Sequence, residues 1–308
     1  MKTSRRGFFR HAVQASLGAY VGSSLFGTAV AGTLDLPLNR FAFADALLGI
    51  TTMCRTATSP PHAIEAIHQI LIVDGLKEAK QLNHNVAKNI DAVKTLYPTA
   101  KHTLWHGEAL RELIGNNFDS AVLKSFDRLR PYAFKADLAK YCLLHHYGGL
   151  YIDVGLNARC CLNIPTSYGL AAFLHPKPRC SWLDMSSSLM WACPGRREMT
   201  KTIDKIVENC RQRFYGFNPG NITGSTPFGL SCAETMIEQW QDAQPQDQWI
   251  GERRRATIDG IRKSVFLAKD GSLVAIRRAD GGGDWSSIAT SGVNNYSEMW
   301  HRKQVYTD

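Results

Sequence analysis

The sequence predicts an α/β fold in one large domain, and three observations carry that expectation. From residue 64 onward, short apolar runs alternate with longer segments of helical periodicity, the order that lays helices against a sheet. Over residues 130–155 (RPYAFKADLAKYCLLHHYGGLYIDVG) a helix stops on two glycines and delivers a short strand with a carboxylate at its end. At 308 residues, 44% hydrophobic and 20% charged, the chain has the apolar material for a sizeable core.

Residues 1–31 read as a targeting segment and stand outside the fold. Ser4-Arg5-Arg6-Gly7-Phe8-Phe9-Arg10 resembles the twin-arginine export motif, and a weakly apolar stretch rich in Gly, Ala and Ser follows it. Ala29-Val30-Ala31 is an A-x-A cleavage candidate, with Ala42-Phe43-Ala44 as a second. His11, Gln14 and several glycines dilute the stretch, so it makes a poor spanning helix and implies at most peripheral membrane contact. A functional signal makes the protein exported and periplasmic; without one it is cytoplasmic. Residues 32–62, which end in Thr-Ser-Pro-Pro, read as a linker, and residues 63–308 as the folded domain.

Residues 64–73 (IEAIHQILIV) form the first buried strand. Residues 79–96 carry helical periodicity, with Leu82, Val86, Ile90, Val93 and Leu96 on one side, and Tyr97-Pro98 ends the helix. A second strand occupies 101–105, and two short helices fill 107–129. In the stretch 130–155, Pro131 suits a first helical turn because it has no N–H to leave unpaired there. Phe134, Leu138, Tyr141, Cys142 and His145 recur at helical spacing, so one face is buried. Gly148 supplies the left-handed conformation that ends a helix, Gly149 allows a tight turn, and Leu150, Tyr151, Ile152 and Val154 form a buried strand. Asp153 stands at the strand's exit. Open α/β sheets bind ligands beyond their carboxyl ends, so a carboxylate there suits a metal, a phosphate or a sugar. Strands at 169–175 and 186–193 follow, then a helix that Pro194-Gly195 starts. A turn at Thr223-Gly224-Ser225-Thr226-Pro227 leads into another helix. Asp270-Gly271 joins strands 263–269 and 272–278 in a hairpin, and Gly281-Gly282-Gly283 makes a flexible break before a polar and aromatic tail.

Charge and cysteine usage narrow the function classes. Of the net charge of +9, four units come from Lys2, Arg5, Arg6 and Arg10, which leaves about +5 for the rest. No arginine-rich block with interleaved aromatics remains there, which argues against a nucleic-acid partner. The eight cysteines include no C-x-x-C pair and no histidine clustering of zinc type, so a structural zinc site is not expected. An even number with export permits disulfides, whereas twin-arginine substrates, by resemblance, fold in a reducing compartment. Cys142 lies on the apolar side of the central helix as a small buried hydrophobe.

Asp137, Lys140, Gly148, Gly149, Tyr151 and Asp153 fall at the positions of a helix with Asp-x-x-Arg followed by Gly-Gly-x-Tyr-x-Asp-x-Asp. The stretch thereby resembles the DXD-containing sugar-binding region of bacterial family 32 glycosyltransferases, and more distantly that of the glucosylating clostridial toxins. Further positions extend the resemblance. His68-Gln69-Ile70 is similar to the Ile-His-Gln-Ile-Trp that opens these domains at the nucleotide base, with Leu71 where the aromatic stands. Residues 89–113 are similar to the family's passage between its first two strands. Thr223-Gly224 is similar to its Thr-Gly-Pro turn with two residues inserted, and Asn294, Asn295, Tyr296, Trp300 and Tyr306 to its C-terminal tail. Two departures stand out: Lys140 replaces an arginine and loses its planar fork, and Gly155 replaces the second carboxylate of DXD.

The resemblance implies a GT-A-like (Rossmann-like), mostly parallel sheet flanked by helices. It implies a retaining hexosyltransferase that uses a nucleoside diphosphate sugar and a saccharide or glycolipid acceptor, in polysaccharide or glycolipid synthesis. Asp153 would hold a divalent cation, Mn or Mg, together with ribose or sugar. Asp137 would bind donor hydroxyls, and Lys140 would neutralise the departing diphosphate. His68, Gln69, Gly148, Gly149, Tyr151, Gly224, Asn294 and Asn295 would complete the donor site, with the tail as a lid. One carboxylate with waters holds a hard cation less firmly than two. Read singly, Asp137 and Lys140 are an i,i+3 pair worth roughly 0.2–0.5 kcal/mol, His68 is a hydrogen-bonded core histidine, Gly224 an ordinary turn and the tail a segment packed on the core. A rival reading is an exported, catalytically degenerate saccharide-binding protein of the same fold, which Leu71, Lys140, Gly155 and export favour. A glycoside hydrolase would need two carboxylates flanking one bond, a role for Asp137 and Asp153 that the resemblance argues against.

The export motif yields a direct test. Fused to a reporter active only outside the cytoplasm, residues 1–44 should carry it across the membrane, and Arg5→Lys with Arg6→Lys should stop transport. Transport that survives the double substitution removes the assignment.

Overall fold

A computed structural model of the chain describes residues 60–175, 184–258, 260–277 and 294–307. The signal-like segment, nearly all of the linker and the Gly281-Gly282-Gly283 break lie outside these residues. In chain order the elements are β1 (Ala66–Ile70), α1 (His84–Leu96), β2 (Lys101–Trp105), α2 (Gly107–Asn117), α3 (Ser120–Arg128), α4 (Tyr132–Tyr147), β3 (Gly149–Ile152) and β4 (Leu156–Ala158). Then come β5 (Leu170–Leu174), β6 (Met185–Ala192), α5 (Arg197–Arg211), a 3₁₀ turn at Pro219–Asn221, α6 (Ser225–Gln241), β7 (Gln248–Ile258), β8 (Ile261–Leu267), β9 (Leu273–Arg277) and α7 (Tyr296–His301).

All the strands join one nine-stranded sheet of order β2-β1-β3-β6-β5-β7-β8-β9-β4. The α/β class holds, but the sheet is mixed rather than mostly parallel. Parallel pairing is confined to β1 with β2, β1 with β3, and β5 with β7. The pairs β3–β6, β5–β6, β7–β8, β8–β9 and β4–β9 run antiparallel. Antiparallel neighbours need only a short turn whereas parallel ones need a crossover, so the C-terminal third extends the sheet with a compact meander. The expected hairpin is present as β8 and β9, but β7 and β4 were not anticipated. Polar residues dominate β7 (QWIGERRRATI), and only its first four positions are buried.

Side-chain alternation shows why the central strands are apolar throughout. Tyr151, Leu170, Ala172, Met190 and Ala192 enter one core, which α2 to α6 complete. Their strand neighbours Leu150, Ile152, Ala171, Phe173, Leu189 and Trp191 enter a second core on the other face, with Val93 of α1 and Phe266 of β8. Successive strand residues point to opposite faces, so a sheet covered on both sides reads as a continuous apolar run. Pro61 bridges Pro165 and the His62 N–H donates to the Ile164 carbonyl, so residues assigned to the linker already belong to this pairing. Helix α1 begins later than its periodicity suggested because Asn83 caps it, and Leu82 is left exposed outside it.

Helix α4 departs from the expected single buried face: it is buried on nearly all sides, Lys135 and Lys140 included. The sheet lies along one side and helices α2, α3 and α5 crowd the others. Its N-terminus is capped from far along the chain, because Asn294 Oδ1 accepts the Tyr132 N–H at 2.7 Å; Pro131 sits at the cap position rather than inside the helix. At its C-terminus Gly148 and Gly149 take φ of 67° and 95°, a conformation open to glycine at little cost. Space is also limiting, since a Cβ on Gly149 would lie 2.7 Å from the Ala66 carbonyl oxygen.

Gly149→Ala is therefore expected to lower folding stability by about 1–3 kcal/mol from backbone strain, plus the cost of pushing β1 away. Gly195 has a φ of 73° but no atom within 4 Å of a built Cβ, so Gly195→Ala carries the strain alone. Chemical denaturation should show the larger loss for Gly149→Ala; equal losses would remove the contact argument.

Candidate active site

The carboxyl ends of β1 and β3 open onto a cleft of about 390 Å³. Ile70 ends β1 and Asp153 follows β3 there, while β6, running the other way, brings Ser186 to Ser188 to the same edge. The middle of α4 supplies Asp137 and Lys140, and the start of α6 supplies Gly224 and Ser225. Arg253 of β7, Arg277 of β9 and Tyr296 of α7 complete the part of the wall that bears on chemistry.

At the floor lies a knot of charge. Lys140 Nζ stands 2.6 Å from Asp137 Oδ1 and 3.8 Å from Asp153 Oδ1, and it donates to the Ser187 carbonyl at 2.9 Å. The ring of Tyr151 lies beneath the ammonium at 4.9 Å. The Tyr151 hydroxyl donates to Asp153 Oδ1 at 2.7 Å, and Thr223 Oγ1 donates to Asp137 Oδ2 at 2.8 Å. Burial pushes the Asp137 carboxyl above its ordinary value, against the opposing pull of Lys140 and Thr223. Burial, reinforced by Asp153, likewise pushes the Tyr151 phenol well up, so it remains a donor. Lys140 therefore orients two carboxylates, and its charge is balanced inside the protein. The i,i+3 spacing does not make a solvated pair here, since the two side chains are only 4% and 16% exposed.

These residues do not fit a divalent cation. Asp153 brings one carboxylate, one of whose oxygens already accepts a hydrogen bond, and Gly155 brings none. Both oxygens of Asp137 face donors. Among the described residues no group of three or more His, Cys, Asp or Glu is placed to hold a metal. Two arginines share the cleft, and a dication would enter against their charge.

The remaining expected site residues divide. Gly224 lines the cleft and its carbonyl accepts the Tyr141 hydroxyl at 3.3 Å. His68 does not line it: its Nδ1 accepts the Trp105 indole N–H at 3.2 Å and its Nε2 lies 3.0 Å from the Gly148 carbonyl. That pair of contacts sets the tautomer with the proton on Nε2, and burial lowers its pKa, so the ring is a neutral core link. Gln69 is wholly buried, with Oε1 2.7 Å from His102 Nε2. Leu71 packs with Val86, Ile90 and Val154. Gly148 and Gly149 act through the turn, away from the cleft wall. Asn294 caps α4 and Asn295 caps α7, and it is their neighbours Tyr296 and Ser297 that reach the cleft.

Sequence reasoning missed Arg253, Arg277, Tyr296 as a cleft residue and the turn at Asn218–Gly220. A signal existed for Arg253: in ERRRATI, Arg253 and Arg255 alternate as strand neighbours on one face. Arg253 is held by a 3.3 Å bond to Ser264 Oγ and lies 5.6 Å from the Phe266 ring centroid. Burial, then the like charge of Arg277, pushes its pKa down to about 9, which leaves it cationic at neutral pH.

Residues 83–166 match the family described as glycosyltransferase sugar-binding region containing DXD motif, which includes Asp137, Lys140, Tyr151 and Asp153. An uncharacterized glycosyltransferase of Acanthamoeba polyphaga mimivirus is 34% identical over 73 residues, 24% of this chain and 28% of that protein. A mannosyl phosphorylinositol ceramide synthase of Saccharomyces cerevisiae is 28% identical over 147 residues, 47% of this chain and 36% of that protein. The chain thus spans about a third of the length of these relatives. Among solved structures, the PaToxG glycosyltransferase aligns at a TM-score of 0.39 with 16% identity, over 66% of this chain and 83% of that one.

The knot predicts a non-additive pair. Lys140→Met leaves Asp137 buried without its cation and should cost about 3–5 kcal/mol, whereas adding Asp137→Asn should recover much of that loss. Unfolding curves in which the double variant is as unstable as the single one would show that charge burial is not what Lys140 offsets.

Proposed function

We propose that the chain is a retaining glycosyltransferase that moves a hexosyl unit from a nucleoside diphosphate sugar to a saccharide or glycolipid acceptor. The observation that supports it most is the coincidence of the matched sugar-binding region with the charged floor of the cleft. In this reading Asp153, whose Oδ1 is fixed by Tyr151, offers Oδ2 to a sugar or ribose hydroxyl; among the described residues no hydrogen bond reaches that oxygen. Asp137, fixed by Thr223 and Lys140, uses its remaining lone pairs on donor hydroxyls. Lys140 is a positioning residue for both.

The bond from the sugar's anomeric carbon to the diphosphate oxygen breaks, and its electron pair leaves with the diphosphate. The acceptor oxygen bonds to that carbon from the same face, and its proton passes to the departing phosphate oxygen. Charge grows on the leaving group, so fixed cations in the cleft stabilise the transition state more than the ground state. A glycolipid acceptor is the narrower proposal, supported by the name of the yeast relative, a mannosyl phosphorylinositol ceramide synthase. Export through residues 1–31 is proposed on the motif alone.

A donor screen by nucleotide release tests the reading. One nucleoside diphosphate sugar should be turned over, and Asp153→Asn should lower turnover by at least about 10²-fold in a protein that stays folded, with a smaller loss of stability than Lys140→Met, because asparagine still accepts from Tyr151 and Asp137 still pairs with Lys140. If calorimetry finds no bound nucleotide sugar and no transfer responds to Asp153→Asn, the exported saccharide-binding protein replaces this reading.

A further inference from the structure

Among the described residues, the cleft holds more positive charge than its own carboxylates balance. Lys140 is set against Asp137 and Asp153, yet Arg253 and Arg277 line the same space. Neither guanidinium forms an ion pair with a carboxylate among the described residues. They reach the cleft from separate strands: Arg253 pairs with Phe266 across β7 and β8, and Arg277 with Ser264 across β8 and β9. Arg253 bonds to Ser264 Oγ as well, so the hairpin holds both cations on one framework. The helix α6 points the same way. It is 17 residues long, its cap position is Gly224 with no side-chain cap, and Gly220, Gly224 and Ser225 line the cleft. Uncapped N–H groups at a helix start and planar guanidinium forks are the two donor types that match phosphate oxygens.

We infer that Arg253 and Arg277, with the Ser225 N–H at the start of α6, take the donor's diphosphate directly, in place of the divalent cation that a second carboxylate at position 155 would have held. This rests on the glycosyltransferase reading and names how its leaving group is bound. Charge decides between the alternatives. Among the described residues three cations face two carboxylates, so a dication adds repulsion, while a diphosphate removes it. When the glycosidic bond breaks, the electron pair arrives on an oxygen already facing fixed donors, and no metal need be recruited.

The test uses the purified full chain and inorganic pyrophosphate as the probe, titrated by calorimetry in chelator and again with manganese. Binding is expected in chelator and should not tighten with manganese. Arg253→Gln and Arg277→Gln should each weaken it by at least about tenfold, while Arg253→Lys should retain part of the affinity; thermal unfolding of each variant shows that it is folded. Binding that appears only with manganese, binding unchanged in both glutamine variants, or no binding by the folded wild type overturns the inference. The two readings fail separately. Metal-free pyrophosphate binding lost in the arginine variants, with no nucleotide sugar accepted, removes the glycosyltransferase reading alone. Transfer that requires manganese and tolerates both arginine substitutions removes this inference alone.

Discussion

The ammonium of Lys140 is the contact on which the cleft depends. Taking an ion out of water costs several kcal/mol, and only a full set of partners offsets it. Here the partners are Asp137 on the same helix, Asp153 beyond β3, the Ser187 carbonyl on β6 and the face of Tyr151. One buried cation therefore locks α4 to two strands, and the Thr223 bond to Asp137 extends the lock to the turn before α6. The carboxylates gain fixed positions in exchange for a lysine whose charge is balanced within the protein.

That internal balance changes which residues matter for an anionic ligand. The matched sugar-binding region ends at residue 166 and contains the carboxylates. The unbalanced cations come from β7 and β9, more than eighty residues further on, and enter the cleft because β7 pairs in parallel with β5 and the hairpin then curls back through β9 to β4. The antiparallel extension of the sheet thus has a chemical consequence as well as a topological one.

The tail shows a similar division between holding and reaching. Trp300 donates its indole N–H to the Tyr215 carbonyl at 2.8 Å, Tyr306 pairs with Leu129, and Asn294 caps α4. These contacts tie residues 294–307 to the core, as a packed tail would be, rather than leave them as a detached lid. Tyr296 alone among the tail aromatics lines the cleft, and it also packs on Phe134 with ring centroids 5.7 Å apart.

Local rules made much of this legible. Apolar periodicity found α1 to α4, β1 to β3, β5 and β6 to within a few residues, and the Asp-Gly turn found the β8–β9 hairpin, because these signals lie within a few positions of one another. Local spacing also put Asp153 at a strand exit, while Asp137, Lys140 and Tyr151 were joined to it by the resemblance of the 130–155 pattern to the DXD region. Strand direction, the burial of Lys140 and the roles of Gln69 and Asn294 were not legible, since each depends on partners far along the chain or on neighbouring strands, whereas His68 is the hydrogen-bonded core histidine that the residue read singly suggested. Arg253 and Arg277 were hidden for a related reason: a charged residue within a polar strand (Arg253) or at the end of an apolar one (Arg277) reads as solvated, and only the folded sheet brings both to the cleft. The sequence by itself determined the class of fold, through short-range spacing, and pointed to the carboxylate floor, through the resemblance of one motif; the tertiary structure decided the cation lining, because strand pairing far along the chain brings Arg253 and Arg277 to the same cleft.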